Sequence, residues 1–133
     1  MTFQLQIATP DGLIFDGEAE RVVTRTTEGD VGIMARHSDF VAPLGVGRTR
    51  VKLPDGSVRL GSSNRGMITV NEGIVRIVAV TFEWADEIDV ERAQRAAEKA
   101  RERMNRRRDD RELRLAEYKL RRALNRIDVY NNK

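Results

Sequence analysis

The first 84 residues alternate between apolar and polar positions in short runs, which is the pattern of half-buried β-strands. In the first run, Phe3, Leu5 and Ile7 lie on one side. Turns built on glycine or proline, such as Pro10-Asp11-Gly12 and Asn71-Glu72-Gly73, recur roughly every 8–12 residues. This part of the chain is therefore predicted to form an antiparallel β-sandwich or a flattened barrel.

From residue 86 onward the pattern changes to apolar residues that recur at alternating spacings of three and four, as in paired helices. Asp86 and Asp109 precede the two runs as candidate helix caps, each with an acidic residue three positions later. The polar stretch 105–110 between the runs suits an antiparallel helix–helix turn. We predict a β-domain over 1–85 and a helical hairpin over 86–133. The predicted seam residues are Val90, Ala93, Ala97, Ala100 and Met104 in the first helix, and Leu113, Ala116, Leu120, Ala123, Ile127 and Tyr130 in the second.

Alanine dominates the seam of the first helix. Burial of apolar surface stabilises a fold by about 25 cal/mol per Å², and alanine buries little of this surface when helices pair. The predicted hairpin is therefore one that forms but can be opened. Charge divides the chain in the same way: residues 1–86 carry a net charge of −2 and residues 87–133 carry +5. A basic helical half is expected to seek an acidic partner, such as a nucleotide, an anionic lipid, a nucleic acid or an acidic protein surface.

Composition removes several classes of protein. The chain has no cysteine, which excludes disulfides and thiolate metal sites. No apolar run approaches the roughly 20 residues that span a bilayer, and the first residues do not resemble a signal peptide. We expect a soluble intracellular protein. Its single histidine, His37, cannot form a multi-histidine metal site, and no nucleophile–base pair is evident, so neither a metal site nor an enzyme is predicted.

Four blocks of sequence, in this order, resemble the epsilon subunit of bacterial F-type ATP synthase over essentially the whole chain. They are Thr9-Pro10-Asp11-Gly12, Thr27 to Ile33 (TEGDVGI), Phe40 to Leu44 (FVAPL), and Ile88 to Ala93, which fits the ATP-binding pattern I-D-x-x-R-A. The resemblance implies an α+β fold: a sandwich of about ten strands followed by the two-helix hairpin. It also implies a non-catalytic rotor subunit of the central stalk in a proton-translocating complex, which couples the catalytic head to the membrane ring.

The same resemblance supplies partners and a regulatory role. The β-domain is expected to bind the gamma subunit and the ring of c subunits, with Glu28, Gly29, Asp30 and His37 at subunit contacts. The hairpin is expected to restrain ATP hydrolysis when it extends toward the alpha and beta subunits, and to permit hydrolysis when it is folded down. The protein would lie at the cytoplasmic face of the bacterial cell membrane, held there peripherally through the complex.

Helical spacing places five charged residues of the hairpin along one face: Asp89, Arg92, Lys99, Arg122 and Arg126. Clustered cations repel one another unless an anion joins them, and a triphosphate would satisfy them. With the motif residues Ile88 and Ala93, and with Glu83 as a supporting polar group, they form the predicted site for ATP. ATP is predicted as a regulatory ligand, with or without Mg²⁺, and no catalytic cofactor is expected.

Other interpretations of the basic helices stay open at this stage. The charged face could be a solvated surface on which Asp89 and Arg92 form an i,i+3 pair. The arginine run 101–114 could mark a stand-alone helical adaptor or a nucleic-acid-binding protein. Acidic residues interrupt that run and no aromatic residue accompanies it for base stacking. We therefore predict an acidic protein surface, and no nucleic acid, as its partner.

Overall fold

The computed structural model describes residues 1–106 and 108–133, so Arg107 of the basic run lies outside the described residues. Seven strands are followed by a short 3-10 helix, Ala85–Glu87, and two α-helices. The elements are β1 Phe3–Thr9, β2 Gly12–Ala19, β3 Arg21–Thr26, β4 Gly29–Met34, β5 Phe40–Lys52, β6 Val58–Asn71, β7 Ile74–Trp84, α1 Val90–Asn105 and α2 Asp110–Asn131.

The strands pair in the order β2-β1-β7-β6-β5-β3-β4. The pairings between described residues are antiparallel, apart from the parallel pairing of β1 with β7. Leu5 of β1 and Ile33 of β4 belong to one buried apolar cluster although their strands are far apart in this order. The sheet must therefore fold over on itself, which gives the two facing layers of a sandwich. The predicted fold class, a β-sandwich followed by two helices, is confirmed.

The three long strands each reverse their inward face once along their length. Strict alternation separates inward-facing residues of a strand by an even number of positions. Here the inward, buried pairs are an odd number of positions apart: Leu44 and Thr49 in β5, Ser63 and Ile68 in β6, and Ala79 and Phe82 in β7. The reversals lie side by side, where the sheet passes from one layer to the other. Counting both halves of each long strand turns seven strands into ten segments, which reconciles the structure with the expected number.

The hairpin lies on one half of the sandwich. Helix α1 packs along α2, and α2 packs on β5 and β6. The seam alanines are at most 2 % exposed, as the sequence pattern predicted. Asp109 caps α2 by accepting a 2.8 Å hydrogen bond from the backbone N–H of Glu112. The prediction that Asp86 caps the first helix is wrong: Asp86 lies in the 3-10 helix, Ile88 returns to an extended conformation, and Asp89 caps α1.

A chain of buried hydroxyl groups crosses the core beneath the hairpin. The Thr24 and Thr49 hydroxyls are 2.7 Å apart, and the Thr49 and Ser63 hydroxyls are 2.9 Å apart. All three residues are fully buried. Three neighbouring strands, β3, β5 and β6, are thus joined by side chains as well as by their backbones. Among residues 1–106 and 108–133, no helix is long and apolar enough to cross a membrane.

Thr49→Val is expected to lower the free energy of unfolding by about 2 kcal/mol, because it leaves the Thr24 and Ser63 hydroxyls without their shared partner. Urea unfolding followed by circular dichroism measures the change. Thr49→Ser, which keeps the hydroxyl and removes only a methyl group, is the control and is expected to cost about 1 kcal/mol. Equal losses for the two variants would show that the hydroxyl chain does not contribute.

Candidate functional site

A cavity of about 480 Å³ lies between the sandwich and the hairpin. Its volume falls within the roughly 300–1,000 Å³ of typical small-molecule sites. Three elements bring charged groups to it: Glu83 from the end of β7, Arg92 from the first turn of α1, and Arg122 and Arg126 from α2. The remaining wall comes from the β1–β2 turn, from sheet positions that face the hairpin side and from the edge of the buried Phe82: Thr9, Asp11, Ile14, Val46, Ser62, Asn64, Val80, Thr81 and Phe82.

An ion pair between Glu83 and Arg126 connects the sandwich with α2 at this cavity. Arg126 Nη2 donates a 3.1 Å hydrogen bond to Glu83 Oε2. Arg126 Nε is only 2.6 Å from Glu83 Oε1, a contact that is an ion pair without hydrogen-bond geometry. The side chains are 22 % and 34 % exposed for arginine and glutamate. A planar guanidinium held side-on by a carboxylate is fixed in direction, so Arg126 is oriented within the cavity before any ligand arrives.

Arg92 and Arg122 complete the cationic side of the cavity. Among the described residues neither guanidinium forms an ion pair, although Arg122 lies 5.6 Å from the Tyr118 ring centre. Counting Asp11 and Glu83 against the three arginines leaves the lining with one excess positive charge. An anion that enters the cavity would meet two guanidinium groups, those of Arg92 and Arg122, that form no ion pair among the described residues.

The structure brings four predicted site residues to the cavity, Glu83, Arg92, Arg122 and Arg126, and gives the other four different positions. Asp89 does not pair with the Arg92 side chain; its Oδ1 accepts a 3.1 Å hydrogen bond from the Arg92 backbone N–H and so caps α1. Ile88 and Ala93 are buried structural residues, 5 % and 0 % exposed.

Lys99 is exposed and does not line the cavity. It follows Arg92 by seven residues, which places it about 10 Å farther along the helix at 1.5 Å per residue.

The predicted subunit-contact residues lie in two places. Glu28 lies in the turn from β3 to β4 and Gly29 and Asp30 begin β4, whereas His37 follows the other end of β4, roughly 17 Å away at 3.4 Å per residue. Across the paired strands next to this turn, Asp30 Oδ1 accepts a hydrogen bond of 2.5 Å from Arg25 Nε. That hydrogen bond, with the charge of Asp30, raises the pKa of Arg25 above its ordinary value.

His37 faces different neighbours. Its Nδ1 lies 2.7 Å from the Ser38 carbonyl oxygen, and its ring packs edge-on against Phe40, with ring centres 5.8 Å apart.

Polar residues of α2 that the sequence analysis passed over fix the hairpin on the sheet. Asn125 Nδ2 donates to the Gly47 carbonyl oxygen and to Ser62 Oγ, both at 2.9 Å. Tyr118 Oη donates a 2.7 Å hydrogen bond to Asn64 Oδ1. Tyr118 and Asn125 are one heptad apart and so lie on the same face of the helix. This spacing is visible in the sequence. Two polar residues that flank Arg122 on one helix face indicate a polar surface that docks on another element.

Two family models match consecutive parts of the chain. Residues 2–85 match the family model of the ATP synthase delta/epsilon chain β-sandwich domain, and residues 86–131 match that of its long α-helix domain. The ATP synthase epsilon chain of Bacillus velezensis is 42 % identical over 131 residues, which is 98 % of each chain. The chain belongs to the epsilon-chain family of ATP synthase. Members of this family are non-catalytic subunits of ATP synthase and belong to its central stalk.

Other relatives agree with this assignment. The ATP synthase epsilon chain of Alkaliphilus oremlandii is 44 % identical over 104 residues, covering 78 % of this chain and 77 % of that one. A chain in the cryo-EM structure of the Euglena gracilis mitochondrial ATP synthase, OSCP/F1/c-ring, superposes with a TM-score of 0.82 at 26 % identity, over 92 % of this chain and 78 % of that one. Family membership favours the rotor-subunit interpretation of the basic helices over a stand-alone adaptor. Among the described residues, no group of three or more acidic or histidine side chains could hold a metal ion.

Proposed function

We propose that this epsilon-family chain couples the catalytic head to the membrane ring and regulates ATP hydrolysis through a hairpin whose docking responds to ATP. The observation that carries the proposal is the cavity in which Arg92, Arg122 and Arg126 converge beside Glu83. These four residues come from the sandwich and both helices, so the cavity exists in this form only while the hairpin is folded down.

The chemistry of the lining suits a nucleotide triphosphate. Guanidinium groups bind phosphate oxygens through paired, charge-assisted hydrogen bonds, and Arg92 and Arg122 have no competing ion pair among the described residues. Glu83 is a hydrogen-bond acceptor that can orient Arg126 or receive a donor group of the nucleotide. ATP, with or without Mg²⁺, would therefore bridge α1 and α2.

Docking then becomes sensitive to ligand. A ligand shifts a two-state element only as far as its affinities for the two states differ. If the hairpin extends, Arg92 and the α2 arginines leave Glu83 and the assembled cavity is lost. ATP would stabilise the folded hairpin, and the folded hairpin would permit hydrolysis.

The outer face of the sandwich supports a protein partner, which we propose to be the gamma subunit. The strand registers align Leu13, Ala8, Val78, Met67 and Pro43 in one row across five strands. Leu13, Met67 and Val78 are 60 %, 42 % and 51 % exposed. Such a row is roughly 19 Å wide at about 4.8 Å per strand, and contiguous exposed apolar surface of this kind marks interaction sites.

Two further contacts complete the proposal. Two segments are proposed to contact neighbouring subunits, including the c ring: the β3–β4 turn with the start of β4 (Glu28, Gly29 and Asp30), and the loop that carries His37. The basic end of the hairpin would meet acidic surfaces of the alpha and beta subunits when it extends. Association with the membrane, at its cytoplasmic face, would be peripheral and would depend on the complex.

Two measurements test the proposal. Isothermal titration of the full chain with ATP, with and without Mg²⁺, is expected to show one ATP bound per chain, and the absence of binding would remove the regulatory site. In membranes that carry the whole complex, deletion of residues 86–133 is expected to raise ATP hydrolysis at low ATP concentration. If hydrolysis were unchanged after the deletion, the hairpin would not be an inhibitory element.

A further inference from the structure

A stacked pair of side chains joins α2 to the sandwich beside the cavity. The Arg65 guanidinium carbon lies 3.8 Å from the centre of the Tyr118 ring, which is close for a cation–π contact. The neighbouring residue, Asn64, accepts the hydrogen bond from Tyr118 Oη and donates one of 3.2 Å to Thr81 Oγ1 of β7. Two successive residues of β6 therefore hold one residue of α2.

The backbone of β6 is distorted at the point where Arg65 meets α2. Arg65 has φ of 53°, a left-handed conformation that residues with a Cβ atom rarely adopt, and Gly66 follows with φ of 122°. Arg65 is left out of the strand pairing on both sides of β6. Gly45 of β5 and Val80 of β7, which lie opposite it, are also skipped in the register. A strained backbone persists only where the surrounding structure holds it and commonly marks a functional position.

Arg65 has no other partner that would explain its position, since it forms no ion pair among the described residues. Its stacking partner also lies near a residue of the cavity lining, because the Tyr118 ring centre is 5.6 Å from the guanidinium carbon of Arg122. The same aromatic ring therefore contacts the sandwich through Arg65 and faces one of the cationic groups of the cavity.

We propose that Arg65 and Tyr118 form a latch that docks α2 on the sandwich without any ligand and positions Arg122 at the cavity. The left-handed turn at Arg65 and Gly66 is the device that aims the guanidinium at α2. The latch determines the fraction of molecules in which the hairpin is docked before a nucleotide binds. The positioning of Arg122 rests on the proposed nucleotide site, whereas the docking itself does not.

A buried cysteine reporter tests the latch in the full chain. The chain has no native cysteine, and Val129 of α2 is fully buried in a cluster with Ala85 and Ile88. In a Val129→Cys background, the rate of thiol modification follows the fraction of molecules in which α2 has left the sandwich. The measurement is made first without nucleotide.

Removal of the stack is expected to open the hairpin more often. Arg65→Ala should raise the modification rate about threefold to tenfold, which is the range of a cation–π contact. Tyr118→Leu should raise it further, since it also removes the hydrogen bond to Asn64. The double variant should exceed Tyr118→Leu by less than about twofold, because the stack is already lost. Arg76→Ala, which removes an arginine bonded to Gln6 within the sandwich, is the matched control and should leave the rate unchanged.

Addition of saturating ATP separates the latch from the nucleotide site. If Arg65→Ala opens the hairpin but ATP slows modification in no variant, the latch stands and the proposed ATP site fails. If ATP slows modification but Arg65→Ala labels at the parent rate, the latch is overturned and the ATP site survives. Rate increases that multiply fully in the double variant would also overturn the latch, because they would show that the two residues act separately.

Discussion

Gly66→Ala is expected to lower the free energy of unfolding by about 3–5 kcal/mol, because at no other glycine would a Cβ atom approach a backbone atom so closely. A Cβ atom on Gly66 would lie 1.9 Å from the Val78 carbonyl oxygen and 2.8 Å from the Ala79 Cα, both in the backbone of β7. Neither atom can move without disturbing the β6–β7 ladder. The backbone at φ of 122° adds strain of its own for any residue with a side chain.

A second glycine provides the matched control for this substitution. Gly56 also has a positive φ, of 88°, but a Cβ atom there would meet nothing within 4 Å. Gly56→Ala should therefore cost only the backbone strain, about 1 kcal/mol. Urea unfolding of both variants, analysed with a common slope, gives the difference between clash and strain. Equal losses would show that β6 and β7 can separate at Gly66 without cost.

The same position explains what the sequence could and could not predict about the fold. Alternating apolar residues and turn signals are local, so strands such as β1 and β3 are visible in the pattern. The reversal of the inward face in β5, β6 and β7 is not local, because it depends on three strands that bend together. Arg65-Gly66 is an ordinary dipeptide in the sequence, and only the neighbouring strands force it into left-handed geometry.

The cavity was predictable in part for a related reason. Helical periodicity places Arg92 and the α2 arginines on facing flanks, and a hairpin brings such flanks together. Periodicity does not show which part of a helix meets the sheet. Glu83 was expected as a supporting polar group, yet it is bonded directly to Arg126. Lys99 shares a helix face with Arg92 but lies too far along α1 to line the cavity. The β1–β2 turn reaches the cavity only through strand pairing, which no local pattern reveals.

Arg126→Ala is expected to weaken ATP binding about tenfold to a hundredfold, the loss of one or two charge-assisted hydrogen bonds to a phosphate. Arg92→Ala should have a similar effect, since its guanidinium lines the cavity without an ion pair among the described residues. Lys99→Ala should change the dissociation constant less than twofold, because Lys99 is exposed and lies outside the lining. Isothermal titration of the three full-length variants measures all of these constants.

Glu83→Gln distinguishes the role of Arg126 in docking the hairpin from its role in binding ATP. The carboxylate holds Arg126 in the folded hairpin, but it also competes with a phosphate for the same guanidinium. If ATP binds as proposed, Arg126→Ala in a Glu83→Gln background should cost a different factor from Arg126→Ala alone, since residues in contact do not act additively. Identical factors in the two backgrounds would mean that the contribution of Arg126 to ATP binding is independent of its ion pair with Glu83. An affinity equally weakened by Lys99→Ala would instead place the phosphates along α1, away from the cavity.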